Sequence, residues 1–378
     1  MTASRKVAVL FEYPTLLGGE RSWLAAWPEI RASGIDVVAL IAGHGALGDE
    51  LERLGVPVEV WATGDAAGPG APLEARRAAL SAALERVRPA ALHANSLSMT
   101  RLSGPVVEAT GLPSLGHLRD IVGLSARAVA DVNLHPRILA VSDATRRWHV
   151  EQGLDGDRVL VCHNGVDLEA FRPRTATGGL AQELGLRDGA RLVVSIGQIG
   201  MRKAPDVFLE AAALVAAEDE SAVFVLVGER HSTKDEAVRY EADLHASAEQ
   251  EPLAGRARFV GYRDDVAGVL GEATLLVHAA RQEPLGRVLL EAAAAGCPIV
   301  ATEAGGTREI FPRGEEDGAR LVDIDDADAM AKGILALLSD DARCARVGES
   351  GRRRAEAAFD AREAGRRLAE HYRETLGS

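Results

Sequence analysis

Two glutamates eight positions apart, Glu283 and Glu291, lie in the stretch RQEPLGRVLLEAAAAGCPIVAT that runs from 281 to 302. A carboxylate accepts two hydroxyl hydrogen bonds at once, and its charge strengthens each. A helix beginning near Gly286 puts Glu283 in the loop at its positive end and Glu291 more than a turn inside. Carboxylates so placed suit the reading of a ribose and a second sugar. On spacing alone the plainer alternative is a helix-start partner and a solvated helix face. A second group is Gly197–Lys203, GQIGMRK. A strand that runs into a Gly-rich turn, with a cation entering the next helix, places positive charge beside a diphosphate. Arg202 and Lys203 are the cations here; as exposed helix-start charges they would carry little weight. Lysine is scarce, with Lys6, Lys203, Lys234 and Lys332 the only four among 43 basic residues.

Gly305-Gly306, in EAGGTRE, follows a strand-like run and precedes another helix. Glycine lets the backbone approach a phosphate or sugar closely, although a plain turn needs the same residues. In the N-terminal half Gly18 and Gly19 lie in a turn, Leu16–Glu20, that precedes a helix, and Glu20 reads as a partner of the helix dipole. His117 ends a strand in SLGHLRD, followed by Arg119 and Asp120, which either line an acceptor site or pair with each other. His93 and Asn95, at the end of ALHAN, are further acceptor candidates, whereas Asn164-Gly165 reads as a structural turn.

Strands spaced by helices must position these groups. Lys6–Phe11, Asp36–Ala42, Val58–Ala62, Ala91–Asn95, Ser114–His117, Ile138–Ser142 and Val159–His163 are short apolar runs. Helical stretches, the first at Arg21–Ala32, separate them, which predicts parallel pairing in a doubly wound α/β domain. The pattern restarts at Arg191–Gly197 and continues through Ala222–Gly228, Ala257–Gly261, Thr274–His278, Pro298–Thr302 and Ala319–Val322. Helices are expected at Ala204–Ala217 and Leu285–Ala295. The expected division is a first domain over 1–173 and a second over 174–359, with a terminal helix at 360–376 returning to the first. Two such domains in series create a cleft between the carboxyl ends of their sheets, where ligands commonly sit.

The 378 residues carry a net charge of −13, with the acidic excess in the C-terminal half. That balance argues against non-specific nucleic-acid binding, which needs a basic footprint. Three widely spaced cysteines, Cys162, Cys297 and Cys344, form neither a disulfide framework nor a metal-ligand spacing. The N-terminus reads without a secretory leader, and no run of about 20 apolar residues predicts a membrane span. A cytoplasmic protein is expected, with room for transient contact with a lipid-linked acceptor. Nothing in the sequence sets the oligomeric state.

Taken together, Gly18-Gly19 after the first strand, VCHNGVDLEAFRP at 161–173, Lys203 after its strand-turn and EPLGRVLLEAAAAGCPIVATEAGG resemble family 4 of the retaining glycosyltransferases. This is the group 1 glycosyl transferases, and the resemblance covers nearly the whole chain. It implies the GT-B fold, with two Rossmann-like domains facing a central cleft. It also implies that Glu283 contacts the donor sugar and Glu291 the ribose hydroxyls, with Pro284, Leu285 and Gly286 between them on the donor side. Gly197, Lys203, Gly305 and Gly306 belong with the diphosphate, Gly18 and Gly19 with the β-phosphate, and His117 with the donor sugar. Many members read G-R-x-x-x-x-K-G where this chain has Gln198 and Ala204. Arg202 is the expected substitute for the missing Arg.

The resemblance implies transfer with retention from a UDP- or GDP-linked sugar to a hydroxyl acceptor, the leaving phosphate helping to deprotonate that acceptor. The donor is a substrate and no cofactor is expected. No Asp-x-Asp motif is expected to hold a divalent ion, so metal independence is expected. The competing readings are a nucleotide-sugar epimerase or phosphorylase on the same architecture, and a non-catalytic nucleotide-sugar binder.

Overall fold

Runs such as KVAVL and DVVALI are buried on both faces, which is the condition of a strand inside a parallel sheet covered by helices. The computed structural model of this chain describes residues 6–62, 64 and 70–377. Residues 1–5, where the sequence was read for a leader, lie outside the described residues. The chain divides into two compact units, Met1–Gly165 with Ala361–Ser378, and Val166–Asp360.

In the first unit the order is β1 (Lys6–Leu10), α1 (Gly18–Ala32), β2 (Asp36–Ile41), α2 (Ala46–Arg53), β3 (Val58–Val60), α3 (Leu73–Val87) and β4 (Ala91–Ala94). It continues with α4 (Leu97–Thr110), β5 (Ser114–Leu118), α5 (Ala126–Val132), β6 (Arg137–Ala140), α6 (Asp143–Glu151) and β7 (Val159–Val161). The seven strands pair in parallel in the order β3-β2-β1-β4-β5-β6-β7. Direction along the sheet reverses between β1 and β4, the switch point at which a doubly wound fold opens a crevice.

The second unit runs α7 (Gly179–Glu183), β8 (Arg191–Ile196), α8 (Pro205–Glu218), β9 (Ala222–Val227), α9 (Asp235–Ala248), β10 (Ala257–Phe259) and α10 (Val266–Glu272). Then follow β11 (Leu275–His278), α11 (Arg287–Ala294), β12 (Ile299–Thr302), α12 (Thr307–Ile310), β13 (Ala319–Val322), α13 (Ala327–Leu338) and α14 (Asp341–Ala358). Its six parallel strands are ordered β10-β9-β8-β11-β12-β13, so the switch point lies between β8 and β11. Phe208, Val215, Phe224, Leu275 and Ile334 lie in its core and are fully buried.

The last helix, α15 (Ala361–Thr375), belongs to the first unit. Its buried positions Ala361, Ala364, Gly365, Leu368, Ala369 and Tyr372 recur with the helical period and pack on α1. A Cβ at Gly365 would come within 2.7 Å of the Ala26 carbonyl oxygen, so glycine there permits the close helix approach.

The division falls at 165/166, eight residues before the expected 173/174. Val166 donates its amide to the Phe359 carbonyl at 2.8 Å. Arg352 holds the carbonyls of Leu168, Phe171 and Ala294 through Nη1, tying 166–173 to the second unit. Helix α1 also begins at Gly18, not Arg21, so both glycines lie in its first turn. Among the described residues no helix is long and apolar enough to cross a membrane.

Candidate active site

Lys203, Glu283 and His278 meet at the switch point of the second sheet. His278 is the last residue of β11, and Lys203 follows β8 after the Gly197–Arg202 turn. The aliphatic stem of Lys203 lies over Gly197, where an added Cβ would touch its carbons at 3.8 Å. Glu283 is 4% exposed. Its Oε2 accepts from Lys203 Nζ and, at 2.7 Å, from His278 Nε2. Burial alone would raise the Glu283 pKa. The charge of Lys203 and the His278 hydrogen bond outweigh it and hold the carboxyl well below the ordinary carboxylate range. Burial first, and then the Lys203 charge, pull His278 below the usual histidine value. The imidazole is therefore neutral and donates Nε2–H to the carboxylate. Both donors converge on one oxygen, Oε2.

The loops that carry these groups are stitched together. The amide of Arg281 donates to the Arg202 carbonyl at 3.0 Å, and the Arg281 guanidinium binds Asp206 through two bonds of 3.1 and 2.7 Å. Arg281 also reaches Asp325 at 2.6 Å and the Met201 carbonyl at 3.1 Å. Arg202 itself is exposed and contacts the Gln282 carbonyl at 3.3 Å. Gln198 is exposed as well.

Gly286 turns the chain into α11 with φ at 105°. A side chain there would strike Leu289 at 2.7 Å and crowd Glu283 at 3.3 Å. Pro284 and Leu285 are buried beside it. Glu291 is the fifth residue of α11, 7% exposed, and accepts from Arg287 Nε at 3.1 Å. Neither glutamate sits on a solvated face. The Gly306 amide donates to the Glu283 carbonyl at 2.9 Å, a tie between loops and not an anion contact. Gly305 beside it is exposed with φ at 52°.

Ala204, which stands where the resembled pattern has glycine, is fully buried with φ at 49°. A left-handed conformation costs an ordinary residue roughly 1–2 kcal/mol. Ala204→Gly relieves that strain but removes a buried methyl worth about 0.8 kcal/mol and adds unfolded-state entropy. The expected result in urea unfolding is a Gly variant within about 1 kcal/mol of the parent. Ala204→Val, with a β-branched side chain in the same conformation, is expected to lose about 2 kcal/mol or more.

The first unit has its own polar cluster at the β1/β4 switch point. Asn95 follows β4, its Nδ2 donating to the Gly19 carbonyl at 3.3 Å. Arg119 holds the Asn95 carbonyl at 2.9 Å, Asn95 Oδ1 at 2.8 Å and Asn164 Oδ1 at 2.7 Å. Gly19 leaves room for it, since a Cβ there would meet Arg119 Cδ at 3.0 Å. Burial pulls the Arg119 pKa down to about 10, with Glu20 opposing, so the guanidinium stays charged at neutrality. Glu20 is buried in the first turn of α1 and its pKa is raised by desolvation.

His117 Nδ1 lies 3.1 Å from Arg119 Nη2 and 3.3 Å from His93 Nε2. His93 Nδ1 lies 2.8 Å from the Tyr372 hydroxyl, which accepts from Trp23 Nε1 at 3.0 Å. The acceptor candidates His93 and Asn95 are 0% and 2% exposed, with their polar side-chain atoms engaged inside the unit. Asp120 is exposed, and its carbonyl binds His149 Nε2 at 2.8 Å.

Three groups were missed by the sequence reading: His278, Tyr372 and Thr307, a buried hydroxyl with no hydrogen-bond partner among the described residues. A histidine five residues before Glu283 at a strand end was the available signal for the first. The other two carry none. Asp-x-Asp triplets do occur at 155–157, 323–325 and 326–328. Asp155 accepts the Asp157 amide at 3.1 Å, Asp325 binds Arg281, and Asp326 caps α13. Among the described residues no group of three His, Cys, Asp or Glu has a metal-holding arrangement.

Residues 180–354 match the glycosyl transferases group 1 family, and residues 17–170 match glycosyltransferase family 4. Spore coat protein SA of Bacillus subtilis is 30% identical over 204 residues, covering 52% of this chain and 54% of that protein. The phosphatidyl-myo-inositol mannosyltransferase of Mycolicibacterium smegmatis is 33% identical over 207 residues, 54% of this chain and 48% of that protein. The chain spans about half the length of the curated relatives it matches. The structure of Anabaena HepE in complex with UDP-glucose superposes with a TM-score of 0.84 over 98% of this chain and 99% of that one, at 21% identity. WaaG, a glycosyltransferase involved in lipopolysaccharide biosynthesis, gives 0.73 over 97% and 99% at 15% identity. At such identity the likeness is one of fold.

Proposed function

Because this chain belongs to glycosyltransferase family 4, we propose that it transfers a sugar, with retention, from a nucleoside-diphosphate donor to a hydroxyl acceptor. The observation that carries this reading is the convergence of Lys203 and His278 on one oxygen of Glu283 at the switch point of the second sheet. An ammonium has three N–H donors. One is spent on Glu283, and two remain for phosphate oxygens. Glu283 Oε1 takes a hydroxyl of the donor sugar, and Glu291 takes the ribose hydroxyls in exchange for Arg287. Arg202, at the exposed edge of the same loop, is the second phosphate cation in place of Gln198. Gly18, Gly19 and His117 of the first unit serve the β-phosphate and the donor sugar.

In the proposed reaction the acceptor oxygen bonds to the anomeric carbon on the face from which the phosphate departs. The bond from that carbon to the β-phosphate oxygen breaks, and the acceptor proton passes to the departing oxygen. Lys203 opposes the charge that develops on the diphosphate, the step for which a preorganised cation is worth most. Neither a metal ion nor a resident cofactor enters this scheme. A relative of the same fold is bound to UDP-glucose, so a uridine donor is the first to try, with a guanosine donor second. A cytoplasmic site of action is part of the proposal, in keeping with three buried free thiols.

Thermal unfolding with UDP-, GDP- and ADP-sugars in excess EDTA, for the parent and Glu291→Ala, tests the reading. A donor at a hundred times its Kd stabilises by about 2.7 kcal/mol, a rise of roughly 5 °C for a unit of this size. One nucleotide class is expected to give that rise in the parent and to lose most of it in Glu291→Ala. Acceptor-dependent transfer in the same EDTA buffer then separates a transferase from an epimerase or a passive binder. Activity restored only by Mn²⁺, or equal shifts in the two proteins, would overturn the assignment.

A further inference from the structure

The direction of every hydrogen bond in the first unit's buried cluster follows from one member. Arg119 is a donor only. Its Nη2 lies 3.1 Å from His117 Nδ1, so that nitrogen is an acceptor and carries no proton. His93 Nε2 lies 3.3 Å from the same atom; two facing lone pairs would repel, so Nε2 bears its proton and shares the single Nδ1 lone pair with the closer Arg119. With Nε2 protonated in a neutral ring, His93 Nδ1 accepts from the Tyr372 hydroxyl at 2.8 Å. Tyr372 in turn accepts from Trp23 Nε1, also a donor only, at 3.0 Å. The chain Trp23, Tyr372, His93, His117 thus runs one way and leaves a single proton at its end, on His117 Nε2. That atom is buried and has no hydrogen-bond partner among the described residues. An unmet buried N–H is costly, which marks it as a site waiting for an acceptor oxygen.

We infer that His93 and Tyr372 are positioning residues that hold His117 as a neutral Nε2–H donor, so that it binds a lone pair on the donor's sugar and does not act as a base on the acceptor. The inference rests on the proposed contact between His117 and the donor sugar. Helix α15, far from β4 and β5 in sequence, is on this view part of the site and not only a buttress. The charged neighbours agree. Burial first, then Arg119, His93 and His371, push the His117 pKa well below its ordinary value, and the same cluster lowers His93. The nearby carboxylates Glu20 and Asp120 act on Arg119.

Long-range proton–nitrogen correlation spectra of ¹⁵N-histidine-labelled protein read the tautomer directly, with His117→Gln and His93→Gln identifying the two rings. The expected result is a neutral Nε2–H form for both between pH 6 and 8, with the His117 signal moving when donor is added. A Nδ1–H or doubly protonated His117 in that range overturns the inference. Kinetics give a second readout. Gln places an N–H where Nε2–H lies, whereas Glu offers only acceptor oxygens. His117→Gln is expected to retain at least about tenfold more transfer than His117→Glu; the reverse order would mean a base. Tyr372→Phe is expected to mix the His93 tautomers and to lower kcat/KM for donor about fivefold, with UDP inhibition unchanged. Unaltered histidine signals in that variant would remove Tyr372 from the relay. If no nucleotide sugar supports transfer, the proposed function fails, and the spectra still decide the tautomer.

Discussion

Lys203→Ala is expected to lower kcat for sugar transfer by about 10²–10³-fold while changing the donor KM far less. The cation acts on charge that appears only as the anomeric bond breaks, so its removal falls mainly on the transition state. Its position is set by a turn that cannot relax easily, because Arg281 binds the Met201 carbonyl, the Arg202 carbonyl accepts the Arg281 amide, and Asp206 holds the guanidinium. The loss does not come from unfolding. With the ammonium gone, Glu283 keeps its bond to His278, and the main force lowering the imidazole pKa after burial is removed. His278 can then take a proton and supply the missing positive charge, so the thermal midpoint should fall little. Lys203→Arg is not expected to restore turnover, since a planar fork does not reproduce a compact ammonium. Steady-state rates with saturating donor check this directly; a kcat within threefold of the parent would remove Lys203 from the mechanism.

The fold was legible because its signals are local. Each strand is a short, largely aliphatic run, and among the described residues all thirteen strands fall where such runs were read, usually a residue or two shorter. The unit boundary was not legible in the same way. Residues 166–173 were read as the end of the first domain, yet they belong to the second unit through the Phe359 carbonyl and the Arg352 guanidinium, contacts 180 or so positions away in sequence. Hydrophobic periodicity carries no trace of a backbone carbonyl satisfied by a distant arginine.

The site divides along the same line. Glu283, Glu291 and Lys203 were singled out by the family resemblance, since spacing alone left a plainer reading open, and burial distinguishes the two glutamates from surface charges. His93 and Asn95, at the end of ALHAN, were read as acceptor candidates. The structure turns them inward, where Tyr372 and Arg119 occupy them. Tyr372 could not be found from sequence, because its meaning comes from α15 packing on α1 and bringing a hydroxyl to β4. The Gly306 amide, in a loop read as close to the donor, donates to the Glu283 carbonyl, a partner that the sequence does not announce.

Glu283→Gln is expected to lower transfer by at least about 10²-fold and to cost about 3 kcal/mol of stability at pH 7. The two effects have one cause. A neutral amide keeps the shape of the side chain but leaves the Lys203 ammonium, largely withdrawn from water, without its counter-charge. It also replaces a charge-assisted acceptor for the donor sugar with a weaker one. The stability term has a pH signature. In the folded chain Glu283 ionises well below its unfolded value of about 4.3. Its contribution is therefore complete above that value and is lost as pH falls from about 5 toward the folded pKa. The gap between parent and Glu283→Gln in urea midpoint should accordingly be widest at neutral pH and should narrow steadily from pH 5 to pH 3, because the parent carboxylate is by then paying to stay ionised while the amide is indifferent. A gap that stayed constant over that interval would mean that packing, and not the charge on Glu283, accounts for the loss, and the case for a charge-paired donor site would fail with it.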